Sequence, residues 1–283
     1  MKEHKNKNRK NKNIKRLGIF SVLGLIAAVL VIHMISMVTF DSIIEYKEVP
    51  FHSSKVPSEM NGYKIAFISD VHNMPDQKLE TIVGEMNNRQ LNLLVLGGDL
   101  QTSKKDLKNT MEILSKTKTS DGIYGVEGNH ENYEELFAAM EQYSIHPLSN
   151  GGVHIKKHFY LAGAEDLWNR DPDLEKALAD AKADDFSILI SHNPDVTMQQ
   201  NTSKADLILS GHTHGGQITL FGLWAPGLTL RKTITDYGQR FMSGWAKSKD
   251  GVPVYVSNGA GTFDGVPRIF ARPQVILLTL LCD

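Results

Sequence analysis

The chain reads as an α/β domain preceded by one membrane-spanning helix. Three observations predict this. Short apolar runs alternate with polar turns and with stretches of helical periodicity, which argues for α/β layering with ligand sites at the carboxyl ends of strands. Five of those runs end directly in carboxylate, amide or imidazole residues. Near the N-terminus, 24 consecutive residues carry no formal charge.

That uncharged stretch, Leu17 to Phe40, is broken only by His33. At helical rise it spans roughly 36 Å, enough to cross a hydrocarbon core of about 30 Å. Residues 1–16 form a basic head with eight Lys and Arg against Glu3, a net of +7, which leaves −8 on the rest of a chain whose total is −1. The head predicts that the N-terminus stays cytoplasmic and the remainder lies outside. A cleaved signal peptide would show a shorter apolar core and an A-x-A-like exit. Neither is found, so residues 17–40 are expected to be an uncleaved signal anchor in the cell membrane. A mildly acidic remainder excludes a polyanion-binding surface, and nucleic acid is not expected as a partner. Cys282 is the single cysteine, so no intramolecular disulfide exists and a cysteine nucleophile is implausible.

Residues 41–61 are expected to be a polar connector holding Pro50 and Pro57, with a first edge strand around Ile43–Val49. The domain then occupies 62–283. Tyr63–Ser69 is a strand that runs into Asp70-Val71-His72. Pro75 and Asp76 start a helix whose Leu79, Ile82, Val83 and Met86 recur at helical spacing. Leu93–Leu96 is a buried strand closed by Gly97-Gly98-Asp99. A helix over Lys105–Lys116 presents Leu107, Met111 and Leu114 on one face. Gly122–Val126 is a strand ending in Glu127-Gly128-Asn129-His130-Glu131, and a helix follows through Tyr143. Short strands are expected near Val153–Ile155 and Phe159–Ala162, then a helix over Pro172–Ala183. Phe186–Ile190 delivers Ser191-His192-Asn193-Pro194, and a short helix follows. Leu207–Leu209 delivers Ser210-Gly211-His212-Thr213-His214-Gly215-Gly216-Gln217. Residues 218–250 read as irregular, and Val252–Val256 and Val275–Leu281 as late strands completing a sheet.

No glycine-rich phosphate loop is present, because Gly97-Gly98-Asp99 lacks the following Lys-Ser/Thr, and no Gly-x-Ser-x-Gly elbow exists. The chemistry therefore rests on the strand ends: Asp70/His72, Asp99, Asn129/His130, His192 and His212/His214. Each alone is an ordinary turn or cap. All five sharing one context, an apolar strand followed by a tight turn, is not what ordinary turns predict. Oxygen donors mixed with imidazoles and no thiolate suit Mn, Fe or Zn, with Mn favoured. Seven such residues, leaving His130 aside, are too many for one ion. They suffice for two ions about 3.5–4 Å apart if a carboxylate, Asp99 by position, bridges them. His130, one residue beyond a ligand, is placed to protonate a leaving oxygen or to neutralise charge in the transition state.

At these residues the sequence resembles the calcineurin-like metallophosphoesterase superfamily. Its signature of Asp-x-His, Gly-Asp, Gly-Asn-His-Glu/Asp, a lone His and Gly-His-x-His occurs complete and in order, over Tyr63 to about Leu281. The resemblance implies a four-layer fold, a two-sheet β-sandwich flanked by helices. It implies one metal on Asp70, His72, Asp99 and His214, a second on Asp99, Asn129, His192 and His212, and His130 in the acid or transition-state role. A bacterial, membrane-anchored branch is similar through Ser191–Pro194, Gly211–Gln217 and Pro267-Arg268. Gln274 and Asn73-Met74 depart from that branch, which usually has Glu and Leu-Gly there. The expected function is a binuclear-metal phosphohydrolase, a phosphodiesterase or phosphomonoesterase, acting on a lipid-linked or envelope phosphoester. The competing readings are a catalytically silent scaffold and a protein phosphatase. Trp168, Trp224 and Trp245 are either core and turn residues or the lining of a lipid-facing groove.

Overall fold

In a computed structural model, which describes residues 2–38, 43–102, 107–230, 234–263 and 266–283, helix α1 runs over Lys2–Val38. The portion Ile14–Met37 is long and apolar enough to cross a membrane by length and composition. The expected anchor, connector and second helix extend over residues 39–42 and 105–106, which lie outside the described residues.

Two six-stranded sheets form the domain. The first has the order β1-β12-β2-β3-β4-β5, built from β1 (Glu45–Ser53), β2 (Tyr63–Ile68), β3 (Leu93–Gly97), β4 (Ile123–Val126), β5 (His146–Pro147) and β12 (Gln274–Cys282). Strands β2 to β5 run parallel, while β12 pairs antiparallel to β2 and parallel to β1. The second has the order β10-β11-β9-β8-β7-β6, from β6 (Gly151–Lys156), β7 (Phe159–Gly163), β8 (Phe186–Ile190), β9 (Leu207–Ser210), β10 (Gly244–Lys247) and β11 (Pro253–Val256). Its inner strands β7, β8, β9 and β11 are parallel, with antiparallel strands at both edges.

The strands alternate their side chains between two cores. Ile65, Phe67, Leu93 and Val95 point inward against Phe159, Leu161, Phe186, Ile188 and Leu209 of the other sheet. Ala66, Ile68, Leu94 and Leu96 point outward against α2 (Asp76–Asn87), α3 (Leu107–Ser115) and α4 (Tyr133–Gln142). The outer face of the second sheet, through Ala162, Leu189, Ile208 and Val254, is covered by α5 (Leu174–Ala177), α6 (Val196–Gln199) and Phe241. Strands buried on both faces carry near-continuous apolar runs, which is why they are legible in sequence. The result is the expected four layers, helix on sheet on sheet on helix.

Three expectations change. The first strand is nine residues long and begins at Glu45, not Ile43. Its partner β12 lies 229 positions away, so nothing local sets its limits. The helix expected over Pro172–Ala183 is only Leu174–Ala177. Asp173 caps its start by accepting from the Lys176 amide at 2.9 Å, and Asp185 accepts from the Lys182 amide at 2.8 Å, so a side-chain-bonded turn replaces the later helix. The segment expected to be irregular holds helix α7 (Pro226–Leu230) and edge strand β10.

Candidate metal centre

The carboxyl ends of β2, β3, β4, β8 and β9 meet on one rim, where the parallel portions of the two sheets lie face to face. Hydrogen bonds stitch the turns together there. The Asp70 and His72 amides donate to Gly98 and Asp99 carbonyls, the Gly211 amide to the His192 carbonyl, and the His212 amide to both Asp70 carboxylate oxygens at 3.1 and 3.2 Å. Asp70, His72, Asp99, His212 and His214 all have φ between 48 and 69°. Left-handed backbone at so many non-glycine residues costs free energy, and the packed sheets hold it in place. Glycine is required beside these turns. A Cβ on Gly128 would strike the Asp99 carboxylate, and one on Gly211 would strike Asp70 and Ser69.

Two groups of donor atoms result, Asp70/His72/His214 and Asp70/Asp99/His192. In the first, His72 Nε2 lies 2.9 Å from His214 Nε2, and His214 Nε2 lies 3.3 Å from Asp70 Oδ1. In the second, His192 Nε2 lies 3.3 Å from Asp99 Oδ2 and 3.3 Å from His212 Nδ1. Asp99 Oδ2 reaches across, 3.8 Å from His72 Nε2 and 3.9 Å from His130 Nε2. Ligand atoms held about 2.0–2.2 Å from one ion are about 3–3.5 Å apart, so these spacings fit coordination. Asn129 lines the adjoining cleft, and its buried Oδ1 has no protein hydrogen-bond partner.

The tautomers make the demand for a cation explicit. His192 Nδ1 faces the Gly97 carbonyl at 2.8 Å, and His212 Nε2 faces the Ile234 carbonyl at 2.8 Å. Each of those nitrogens therefore carries a proton, as metal-bound imidazoles usually arrange. The opposite nitrogens then face each other and the Asp99 carboxylate. A positive charge, either a proton on His192 or a bound cation, is needed at that spacing. The clustered donor set thus suits divalent metal.

Charge within the cluster follows the same logic. Burial opposes ionisation of Asp99, but the imidazoles of His192, His72 and His130 override it and hold the carboxyl well below the usual range. Burial, and then the charge of His192, lowers His212 to about 3. Burial and then Arg268 hold His214 well below the usual imidazole value. Both are neutral and ready to coordinate. His192 is raised because Asp99 outweighs its burial.

Residues 63–216 match the model of the calcineurin-like phosphoesterase family. The chain belongs to that family. It is similar to an uncharacterized metallophosphoesterase of Campylobacter jejuni, 28% identical over 93% of this chain and 70% of that protein. A metallophosphoesterase of Helicobacter pylori is 30% identical over 81% of this chain and 62% of its own length. A Bos taurus transmembrane protein with metallophosphoesterase domain is 31% identical over 82% of this chain and 56% of that protein. The chain therefore spans between half and 70% of these relatives. As a calcineurin-like phosphoesterase it carries a phosphoesterase domain with clustered metal-binding residues, and its apolar helix together with such relatives points to membrane association.

Around this centre the family domain uses residues whose roles spacing alone leaves unassigned. Glu131 accepts from the backbone amides of Gly128 at 2.9 Å, Asp99 and Gln101 at 3.2 Å each, and Leu100. One carboxylate so locks the turns after β3 and β4 together, although burial and then Asp99 push it up to about 8. Arg268 is buried and donates to the carbonyls of His214, Asn258, Gly261 and Ala271. It braces the Gly-His-x-His turn from behind. Gln274 pairs with Glu45 at 2.8 Å, tying β12 to β1 away from the cleft. Of the tryptophans, Trp168 lines the cleft with its ring centroid 4.5 Å from that of His212. Trp224 donates to Thr229 at 3.0 Å, and Trp245 packs edge-on against Tyr255.

The cleft over the cluster has a volume of about 590 Å³. Asp99, Asn129, His130, His212 and His214 form its floor, and Trp168, Ile218, Pro226, Phe263 and Val266 its apolar walls. His130 is about a third exposed and opens into it.

Proposed function

We propose that the chain is a two-metal phosphohydrolase cleaving a phosphodiester or phosphomonoester. One observation carries the reading: buried imidazoles and carboxylates from five strand ends, with the unpartnered Asn129 Oδ1, converge beneath an open cleft. Asp70, His72, Asp99 and His214 would hold one ion, and Asp99, Asn129, His192 and His212 the other. Asp70 belongs to both donor groups and is assigned to the first because His214 Nε2 and its Oδ1 are 3.3 Å apart. Two divalent ions, with Mn favoured, supply Lewis-acid charge for a phosphoryl group and acidify a water. Glu131 and Arg268 hold the ligand turns still. His130, opening into the cleft, delivers a proton to the leaving oxygen.

The basic head ahead of the apolar helix supports an orientation with the domain outside the cytoplasm. A lipid-linked or envelope phosphoester suits a cleft with apolar walls beside a membrane helix. The test is hydrolysis of bis(p-nitrophenyl) phosphate by the full chain in lipid nanodiscs after reconstitution with Mn, Fe, Zn or Co. Turnover with two ions bound per chain is expected. No turnover with any of these ions, and no second ion bound, would sink the enzyme reading and favour a silent scaffold.

A further inference from the structure

We propose that the hairpin at 218–224, with the helix that follows it, is seated in the interfacial layer of the lipid bilayer, so that the cleft opens toward lipid headgroups. The hairpin is a built element. Ile218 bridges Ile269, and Leu220 bridges Trp224 with its amide 2.8 Å from the Trp224 carbonyl. Phe221 and Gly222 turn the chain with φ of 54 and 73°. Its tip is Leu220-Phe221-Gly222-Leu223-Trp224, where a water-facing turn would carry polar residues. Leu223 is 82% exposed and Leu230, at the end of α7, is 77% exposed.

The apolar exposure is concentrated there. Six of the eleven exposed large apolar side chains on the domain, among the described residues, fall between Ile218 and Leu230. Phe263, Val266 and Trp168, also exposed, line the cleft together with Ile218. A patch of this kind marks a surface that is covered in use. What covers it is indicated by α1. The His33 ring lies 4.9 Å from the rings of both Phe221 and Phe270, which are themselves 5.4 Å apart. His33 is four residues before Met37, the end of the apolar span. At helical rise that is about 6 Å, little more than one turn from the end of the span. The membrane helix thus holds Phe221 close to the boundary between hydrocarbon and headgroups. Leucine, phenylalanine and tryptophan are the residues that partition to this layer.

This deepens the hydrolase reading and rests on it for one consequence. Ile218 and Pro226 belong both to the seated segment and to the cleft wall, so the cleft mouth faces the level of headgroup phosphates. The substrate class is then a phosphoester whose apolar tail stays in the bilayer while its phosphate reaches the cluster.

The test uses the full chain in phosphatidylcholine nanodiscs on a Cys282→Ser background. Leu223→Cys, Leu230→Cys and, on the opposite rim in the exposed β6–β7 turn, Lys157→Cys are each labelled with an environment-sensitive fluorophore. Nitroxide-bearing lipid is then introduced. Labels at 223 and 230 should shift to the blue and lose most of their emission to the lipid nitroxide, while the label at 157 keeps both. Labels at 223 and 230 that behave like 157 overturn the proposal. So do labels shielded from water but untouched by the lipid quencher, which would mean a second protein copy covers the patch. Failure here with hydrolysis intact leaves the enzyme reading standing. Quenching without hydrolysis leaves the docking standing and removes only its consequence for substrate.

Discussion

His212 and His214 stand two residues apart yet face different partners. His212 Nδ1 meets His192, and His214 Nε2 meets His72. Left-handed backbone at both, φ 69 and 55°, turns the chain so that the pair straddles the cluster. Each should therefore serve its own ion. His212→Ala should weaken the ion shared with Asn129 and His192, and His214→Ala the one shared with Asp70 and His72. The loss at a direct ligand should exceed the roughly 10–100-fold that removing an outer partner causes. Metal content per chain after dialysis against a graded chelator separates the two, and loss of the same ion from both variants would show the division to be wrong. The identities of these residues are legible in sequence because imidazole and carboxylate recur at strand ends. Their backbone strain is not, since it is set by sheets packed around them. Glu131 shows the same limit: its role exists only where two turns bring four amides to one carboxylate.

At the scale of elements, the rim opposite the cluster is fastened by one carboxylate between the sheets. Asp121, just before β4, accepts from the Tyr63 hydroxyl of β2 at 2.8 Å and from Lys156 of β6 at 2.6 Å. Burial works against its charge, but the Lys156 hydrogen bond leads the contributions that bring its pKa below the usual value. A carboxyl depressed in the folded state stabilises above its unfolded pKa of about 3.9 and loses that contribution as pH falls through the folded value. Asp121→Asn should therefore destabilise the domain by about 1–2 kcal/mol at pH 7. The difference from the parent should vanish in strong acid, below the depressed pKa. Thermal unfolding of both proteins across pH checks this, and a gap that persists unchanged in strong acid would mean the effect is not ionic. Nothing in sequence announces the clasp, because its three members lie 58 and 35 positions apart. The strands it fastens are legible where both faces are buried, as in Leu93–Gly97 and Phe186–Ile190. Edge strands such as β10, half exposed and four residues long, lack the apolar run that would mark them.

Across the whole molecule, the path from the apolar helix to the rim that carries the cluster passes through β1. The chain leaves α1, pairs nine residues of β1 with β12, and only then enters β2, the strand that delivers Asp70 and His72. The strand therefore belongs to the sheet, although the sequence around it reads as a polar connector. It covers β12, whose residues are mostly buried, and inserts Val49 into the core between the sheets. Removing residues 1–40 should leave a folded, monodisperse domain in mild detergent, because the ladder and both sheets remain. Removing residues 1–53 strips one edge of β12 of its partner and exposes a long apolar template for pairing with other chains. The loss should be on the order of the ~5–15 kcal/mol that holds a typical domain together. Size-exclusion chromatography and circular dichroism of the two truncations decide between these outcomes. A monodisperse, cooperatively unfolding 54–283 chain would show that β1 is dispensable and that the anchor joins the domain through a tether alone. Aggregation of 54–283 with a well-behaved 41–283 would mean that the strand next to the anchor is part of the scaffold that positions the metal ligands.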